Sequence, residues 1–577
     1  IATAFSNLTI AGGATVSANA FSVVTTRNLT VDGLLTPATP TVIISGAGGL
    51  TGSGTVQVTR IAATADFSNQ YTLSGTLVLS GLTVEYIGTA AQTVSTVAYG
   101  HLKINNLPNT ATLAANTLLT GNLTVTSGST LSTGTGTLTL GVAGNVKVDG
   151  TLTGGAGSTG VITLSGAATT IDGIGSISGP SGGGALSITA AHDILSTANL
   201  TISRTIAITG TTTVTNNGIV TSTAAGGITG DTAGANCAAS SCWTNATKSV
   251  LHIAGPLLAT GTLTASAALN TVNYNGTAAQ TIKATTYATL QVNNTNASGA
   301  TLGGATSVDV LFIGNVAAGS LFSDGGFTLT PLGSYKTFNL ISGTFTLGTA
   351  GTATAFPAFT TINISSGTTV VYAAGVSTQT VSGTPVYFNL TLSDAGAKSL
   401  GGATTVNGDL AISGGALTTA SQALTLNGGL SGVGLLTATG SAITIGGTVG
   451  SPAIAALVTG STGSVTFTRT AGTATLADGC DTGSLTINGN GGTLAFAGTH
   501  TISGNVTITA GTLSAGSSTL NVGGNWANTG GLFTTTGTST VVLNGSALQT
   551  LSGTMTDTSA FYNLTITNNT TNPSVTF

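Results

Sequence analysis

Two pairs of residues in this 577-residue chain are of types that could do chemistry. Asp478 and Asp481 stand in the string ADGCDTG, and His192 adjoins Asp193. Paired carboxylates would suit glycoside hydrolysis, in which one acid protonates the leaving oxygen and the other attacks or activates water. A His-Asp pair would suit proton abstraction from a nucleophile. The supply of groups argues against both. Glu85 is the only glutamate, the aspartates are spread thinly, and no nucleophile pattern accompanies His192. ADGCDTG reads as a turn in which Asp and Gly serve backbone geometry. The expectation is therefore that the protein is not an enzyme, with a carbohydrate-active β-helix as the disfavoured alternative.

Other chemistry is equally thin. Cys237 and Cys242 lie close enough in CAASSC to close a small loop disulfide, which would suit an oxidising compartment; the alternative is two buried thiols. Cys480 is left over and reads as a small buried hydrophobe. One close cysteine pair lacks the further ligands of a tetrahedral zinc site, so no metal or cofactor is expected. Glycine-rich strings such as GGATTVNG (401–408) lack the lysine and following helix of a phosphate loop. Ten Lys and Arg against fourteen Asp and Glu provide no basic stripe for nucleic acid. Asn-x-Thr strings at Asn7, Asn122, Asn389 and Asn563 match a glycosylation acceptor, but Asn suits a corner and Thr an outward position, so the repeat itself accounts for them.

The elements that would have to position any site are short strands. Only 4% of the chain is charged, 41% is hydrophobic and 86 residues are glycine, a composition that excludes high-charge disorder. Strings such as NLTVTSG (122–128), TLTLGV (137–142), NVKVDG (145–150) and VITLSG (161–166) alternate apolar and polar residues between Gly, Asn, Asp and Ser breaks. That is the pattern of many short strands, without helical periodicity. No run of about 20 apolar residues forms a membrane-spanning helix.

A larger period overlies the strands. Aligned on the leucine of NLTI, copies recur at Leu8, Leu102, Leu200, Leu290, Leu390, Leu485 and Leu564, spaced by 94, 98, 90, 100, 95 and 79 residues. An aromatic precedes five of them by three positions: Phe5, Tyr99, Tyr287, Tyr387 and Phe561. The tyrosines Tyr99, Tyr287 and Tyr387 read as core plugs, and Gln92, Gln280, Gln379 and Gln549 of the AQT-like phrase share the parity of inward residues. A module of about 95 residues fits either a right-handed parallel β-helix or a tandem array of immunoglobulin-like β-sandwiches. Small aliphatic side chains, few aromatics and the want of Pro-rich linkers favour the β-helix. The expectation is one continuous all-β solenoid over residues 1–577. Residues 226–251, with both close cysteines and Trp243, alternate poorly and are expected to protrude as a loop whose Trp243 could contact a ligand. The likeness of the two ends, about one coil apart if joined, leads to the expectation that the rod continues end to end.

Runs such as GNLTVTSGSTLSTGTGTLTL (121–140), GNVTITAGTLSAGSSTLNVGGNWANTG (504–530) and ALQTLSGTMTDTSAFYNLTI (547–566) resemble the β-strand repeats of very large secreted bacterial proteins. They are also similar to the passengers of autotransporter and filamentous-haemagglutinin-like adhesins. The resemblance implies an extracellular or cell-surface β-helical stalk used for adhesion, coating or matrix, and it carries no catalytic residues. The expected function is a structural fibre or surface-layer protein whose partners are copies of itself, with surface glycans as a further candidate. The alternative is an adhesin stalk.

Overall fold

A computed structural model describes residues 3–19, 22–62, 64–180, 183–315, 319–446, 453–454, 457–460, 462–570 and 572–577. The fold divides into two compact units, Ile1–Gln291 and Val292–Phe577. Each is a parallel β-solenoid.

In the first unit the chain visits three sheets in rotation. His101–Ile104, Thr110–Leu113 and Thr117–Leu119 make one turn; Leu123–Val125, Thr130–Ser132 and Leu140–Val142 make the next. Each strand pairs in parallel with its counterpart one turn later: Leu102 with Leu123, Leu123 with Val146, and Val146 with Ile171. One sheet gathers twelve strands from Thr15–Ala18 to Thr262–Thr264. At about 4.8 Å per strand it is a stack on the order of 50 Å tall. The second unit repeats the plan, with Asn389–Leu392, Lys398–Leu400 and Thr404–Val406 followed by Leu410–Ile412, Ala416–Thr418 and Leu424–Leu426.

Strand alternation fixes inside and outside. Val406, Leu426, Ile445, Phe467, Ile487 and Ile508 stack rung on rung and are buried. Their neighbours Thr405, Thr425, Thr444, Thr466, Thr486 and Thr507 form the matching outward column. Each buried aliphatic side chain contributes about 1.5–3 kcal/mol, and β-branched residues suit the pleat.

The corners explain much of the glycine. A Cβ on Gly144 would lie 2.3 Å from the Gly121 carbonyl carbon, and one on Gly524 2.4 Å from that of Gly504. Neither approach is tolerable for a side chain, so coils stack there backbone on backbone. The residue after each glycine ties the rungs together: Asn122 Oδ1 accepts the Asn145 N–H at 2.9 Å, and Asn145 Oδ1 accepts the Thr170 N–H at 2.9 Å. In the second unit Asn505 and Asn525 do the same for Asn525 and Thr550, at 2.8 Å each.

Apart from one isolated antiparallel bridge between Thr349 and Thr352, the strand ladders described are parallel, which overturns the immunoglobulin-like alternative, whose sheets are antiparallel. Ile228–Gly230, Cys242–Asn245 and Val250–Ile253 are ladder strands, so the expected protrusion over 226–251 shrinks to residues 231–241. The 95-residue period is also not a whole number of turns. Leu102 lies in the twelve-stranded sheet and Leu200 in the sheet that begins at Gln92–Val94.

Candidate functional site

The most elaborate side-chain arrangement in either unit is a buried polar cassette that recurs. In its first copy Gln92 accepts the Gly88 N–H through Oε1 at 2.9 Å and donates through Nε2 to the Val58 and Arg60 carbonyls, each at 2.9 Å. Two tyrosines stand beside it. The Tyr86 and Tyr99 hydroxyls are 2.9 Å apart; Tyr86 accepts the Ser95 N–H at 3.0 Å, and Tyr99 donates to the Ser95 carbonyl at 2.9 Å.

The second copy places Gln280 on Gly276 N–H and on the Ile253 and Gly255 carbonyls, with Tyr274 and Tyr287 serving Lys283. The third places Gln379 on Ala374 N–H and the Leu347 and Thr354 carbonyls, with Tyr372 and Tyr387 serving Ser382. Burial pushes the Tyr86, Tyr274 and Tyr372 hydroxyls up to about 12. Burial, reinforced by the paired tyrosine, raises Tyr99, Tyr287 and Tyr387 as well.

The physical cause is local. The strand Gln92–Val94 stops at Val94, so the N–H and C=O of Ser95 leave the ladder while still buried. Such groups cost about 1–3 kcal/mol each if left bare, and the two hydroxyls replace the missing rung. Tyr99, Tyr287 and Tyr387 were visible in the sequence through their spacing from the module leucine. Their partners Tyr86, Tyr274 and Tyr372 lie outside that spacing, and their signal is the strings TVEY (83–86), TVNY (271–274) and TVVY (369–372). The remaining anchors Leu290, Leu390 and Leu485 are buried, as are Leu102 and Leu200, while Leu8 and Leu564 are half-buried.

The residues that could have done chemistry are held in stacking roles. His192 and Asp193 occupy adjacent strand positions and so point to opposite faces, His192 buried and Asp193 exposed. His192 Nδ1 is 2.7 Å from the Ala190 carbonyl, and burial pushes the imidazole below its ordinary value. Asp478 and Asp481 each accept a backbone N–H from the next coil, Thr499 at 2.8 Å and Thr501 at 2.9 Å. Glu85 accepts from Gln57 at 2.8 Å and Asn105 at 2.9 Å and pairs with Lys103 at 2.9 Å. Burial pushes its carboxyl up, but these hydrogen bonds and the Lys103 charge outweigh burial and leave it below the usual carboxylate range. Among the described residues no cluster of His, Cys, Asp and Glu could hold a metal ion.

Trp243 requires a correction. It is wholly buried, one rung from Val214 and one from Leu263, and its Nε1–H donates to Asn245 Oδ1 at 2.8 Å. A side chain with no surface cannot be a recognition contact. Trp526 has the same place in its own ladder, between Val506 and Leu551, and both tryptophans stand in a Trp-x-Asn string with the Asn buried. The true excursion, residues 231–241, is bound down onto the coil. Cys237 and Cys242 are joined in a disulfide with Cα atoms 5.1 Å apart. Asp231 accepts from Gly210 N–H at 2.6 Å, and Ser240 Oγ lies 2.6 Å from Thr262 Oγ1. Cys480 is buried.

No protein-family model, no curated protein and no solved structure matches this chain.

Proposed function

We propose that this protein is a structural segment of an extracellular or cell-surface fibre or layer, non-catalytic, whose coil stack extends into a longer rod or filament. The observation that carries this reading is where the polar side chains are used. Gln, Asn and even the carboxylates of Asp478 and Asp481 bond to backbone of a neighbouring coil, which braces the stack along its axis and leaves them spoken for. The outer columns of threonine, with 24 charged residues in 577, give a surface suited to lying against similar hydroxyl faces. A parallel stack accepts further coils through the same ladder at any height, so elongation needs no new kind of contact.

The test is negative-stain imaging of the assembly isolated from its source. Thin rods several times longer than one chain are expected. Compact, monomeric particles that stay dispersed at high concentration would sink the proposal. An adhesin stalk is the alternative. It loses Trp243 as its contact, and glycan-array binding by the purified chain is the outcome that would favour it.

A further inference from the structure

The two sulfurs of the Cys237–Cys242 disulfide stand in different surroundings. Cys242 begins the strand Cys242–Asn245, one position before the inward Trp243, so alternation turns it away from the core, yet it is wholly buried. Cys237, on the excursion 231–241, is only half-buried. Between that excursion and the rungs at Thr262–Thr264 and Thr285–Thr286 lies a groove of about 630 Å³. Cys237 lines it, together with Asn236, Ala238, Thr264, Ser266 and Thr286. Cys242 is not among its walls, and none of the walls is charged.

Two hydroxyls attend the sulfurs. Thr264 Oγ1 is 3.5 Å from Cys237 Sγ, and Thr244 Oγ1 is 3.9 Å from Cys237 Sγ and 3.7 Å from Cys242 Sγ. Besides the disulfide, what ties residues 233–239 to the coil among the described residues is one hydrogen bond, from Thr262 Oγ1 to the Gly234 carbonyl at 3.2 Å.

We propose that Cys237 is a thiol-exchange site, at which a low-molecular-weight thiol of cysteine or short-peptide size enters the groove and becomes attached as a mixed disulfide. The incoming thiolate bonds to Cys237 Sγ, and the Cys237–Cys242 bond breaks. Its electron pair leaves on Cys242 as a thiolate, which takes a proton from water, and the Thr244 hydroxyl stands beside it as a donor. One disulfide is exchanged for another, so no further oxidant or reductant is consumed. Which sulfur is attacked follows from access, and the groove reaches Cys237 alone. A second copy of this chain offers no thiol of its own, because Cys480 is buried, so the reactant is a small molecule rather than a neighbouring rod. Exchange leaves residues 233–239 held by the Thr262 bond, so attachment also loosens the excursion. The site lies within one unit and stands whether or not the coil stack extends into a filament.

The test is exchange on the full chain. The unaltered protein is held with excess free cysteine at about pH 8.5, where roughly half of that thiol is thiolate, then quenched in acid and mapped with pepsin. The adduct is expected on Cys237, with Cys242 as the free thiol, in roughly tenfold excess over the reverse arrangement, and denaturant should bring the two together. Ala238 is exposed and lines the groove, so Ala238→Trp should slow exchange by about tenfold while the β circular dichroism is unchanged. Should that variant fail to fold, the position of the adduct on the unaltered chain decides alone. Adducts shared equally between the two cysteines, exchange only in denaturant that unfolds the chain, or an undiminished rate in a folded Ala238→Trp would overturn the assignment.

Discussion

The first and last copies of the glutamine cassette differ in one respect. Around Gln549 the glutamine bonds are retained, to Gly545 N–H and to the Val522 and Gly524 carbonyls, yet both tyrosines are gone. Leu543 ends the strand string TVVL where Tyr86 ends TVEY, and Phe561 stands where Tyr99 does. The two hydroxyls have disappeared together, and the reason lies in the strand. Gln92–Val94 is three residues long, whereas Gln549–Gly553 runs on and pairs with Trp526–Asn528. Ser552 therefore has a ladder partner in Ala527, and the pair of hydroxyls that Ser95 needs has no task. Phe561 instead packs edge-on against Trp526, ring centroids 5.1 Å apart. Tyrosine pairing and strand extension are alternative solutions to one problem, the buried backbone of the residue after the rung. The glutamine answers a different problem, common to both copies: two corner carbonyls of the previous coil that point inward.

The largest test of this contrast is alkaline unfolding. An unfolded tyrosine ionises near pH 10, and the folded Tyr86, Tyr274 and Tyr372 hydroxyls are held at about 12. Between those values the unfolded state releases protons that the folded state keeps, so stability is intact below about pH 10 and falls as pH rises through 12. Absorbance at 295 nm should show the paired tyrosines ionising together with the loss of β circular dichroism. Ionisation well before unfolding would contradict their burial.

Next in size are Gln92→Leu and Gln549→Leu. Each strands a buried N–H and one carbonyl, that of Arg60 or Gly524, while the Val58 or Val522 carbonyl keeps its backbone partner, and should cost roughly 2–4 kcal/mol in urea unfolding of its own unit. A harmless Gln549→Leu would break the claim that the glutamine does the same work in both copies. Smaller still, Tyr86→Phe and Tyr99→Phe should each cost about 2 kcal/mol. The double variant should cost less than their sum by about 1 kcal/mol, because the hydroxyl pair is lost only once. The smallest effect concerns the outward rungs. Asn122→Ala, which removes an acceptor for the next coil, should cost about 1 kcal/mol, against under about 0.5 kcal/mol for the exposed Asn199→Ala. Equal values would mean that the outward asparagine ladder contributes nothing.

How far the sequence could be read follows from the same examples. The inward parity of Gln92, Gln280, Gln379 and Gln549 and the spacing of Tyr99, Tyr287 and Tyr387 could be seen without coordinates, because alternation is a local property of a strand. The acceptor of Gln92, the Val58 carbonyl 34 residues earlier, could not. Coil length varies with every corner, so no fixed offset in sequence names the residue beneath. The expectation for Trp243 fails for a related reason. The cysteine loop breaks alternation just before it and hides that Cys242–Asn245 rejoins the ladder, and only the pairing with Val214 puts the tryptophan inside. The matching Trp-x-Asn at Trp526, set in unbroken alternation, could have served as the guide.

By itself the sequence determined that the chain is almost entirely β, that its strands are short, and which side chains of its regularly alternating strings face inward. Those follow from period-two alternation and from turn residues, which act over a few positions. Only the tertiary structure decided which rung lies above which, and hence that Trp243 is core, that the tyrosines come in pairs and that Cys237 faces a groove while Cys242 is covered. Those are relations between coils, set by the lengths of the corners between them.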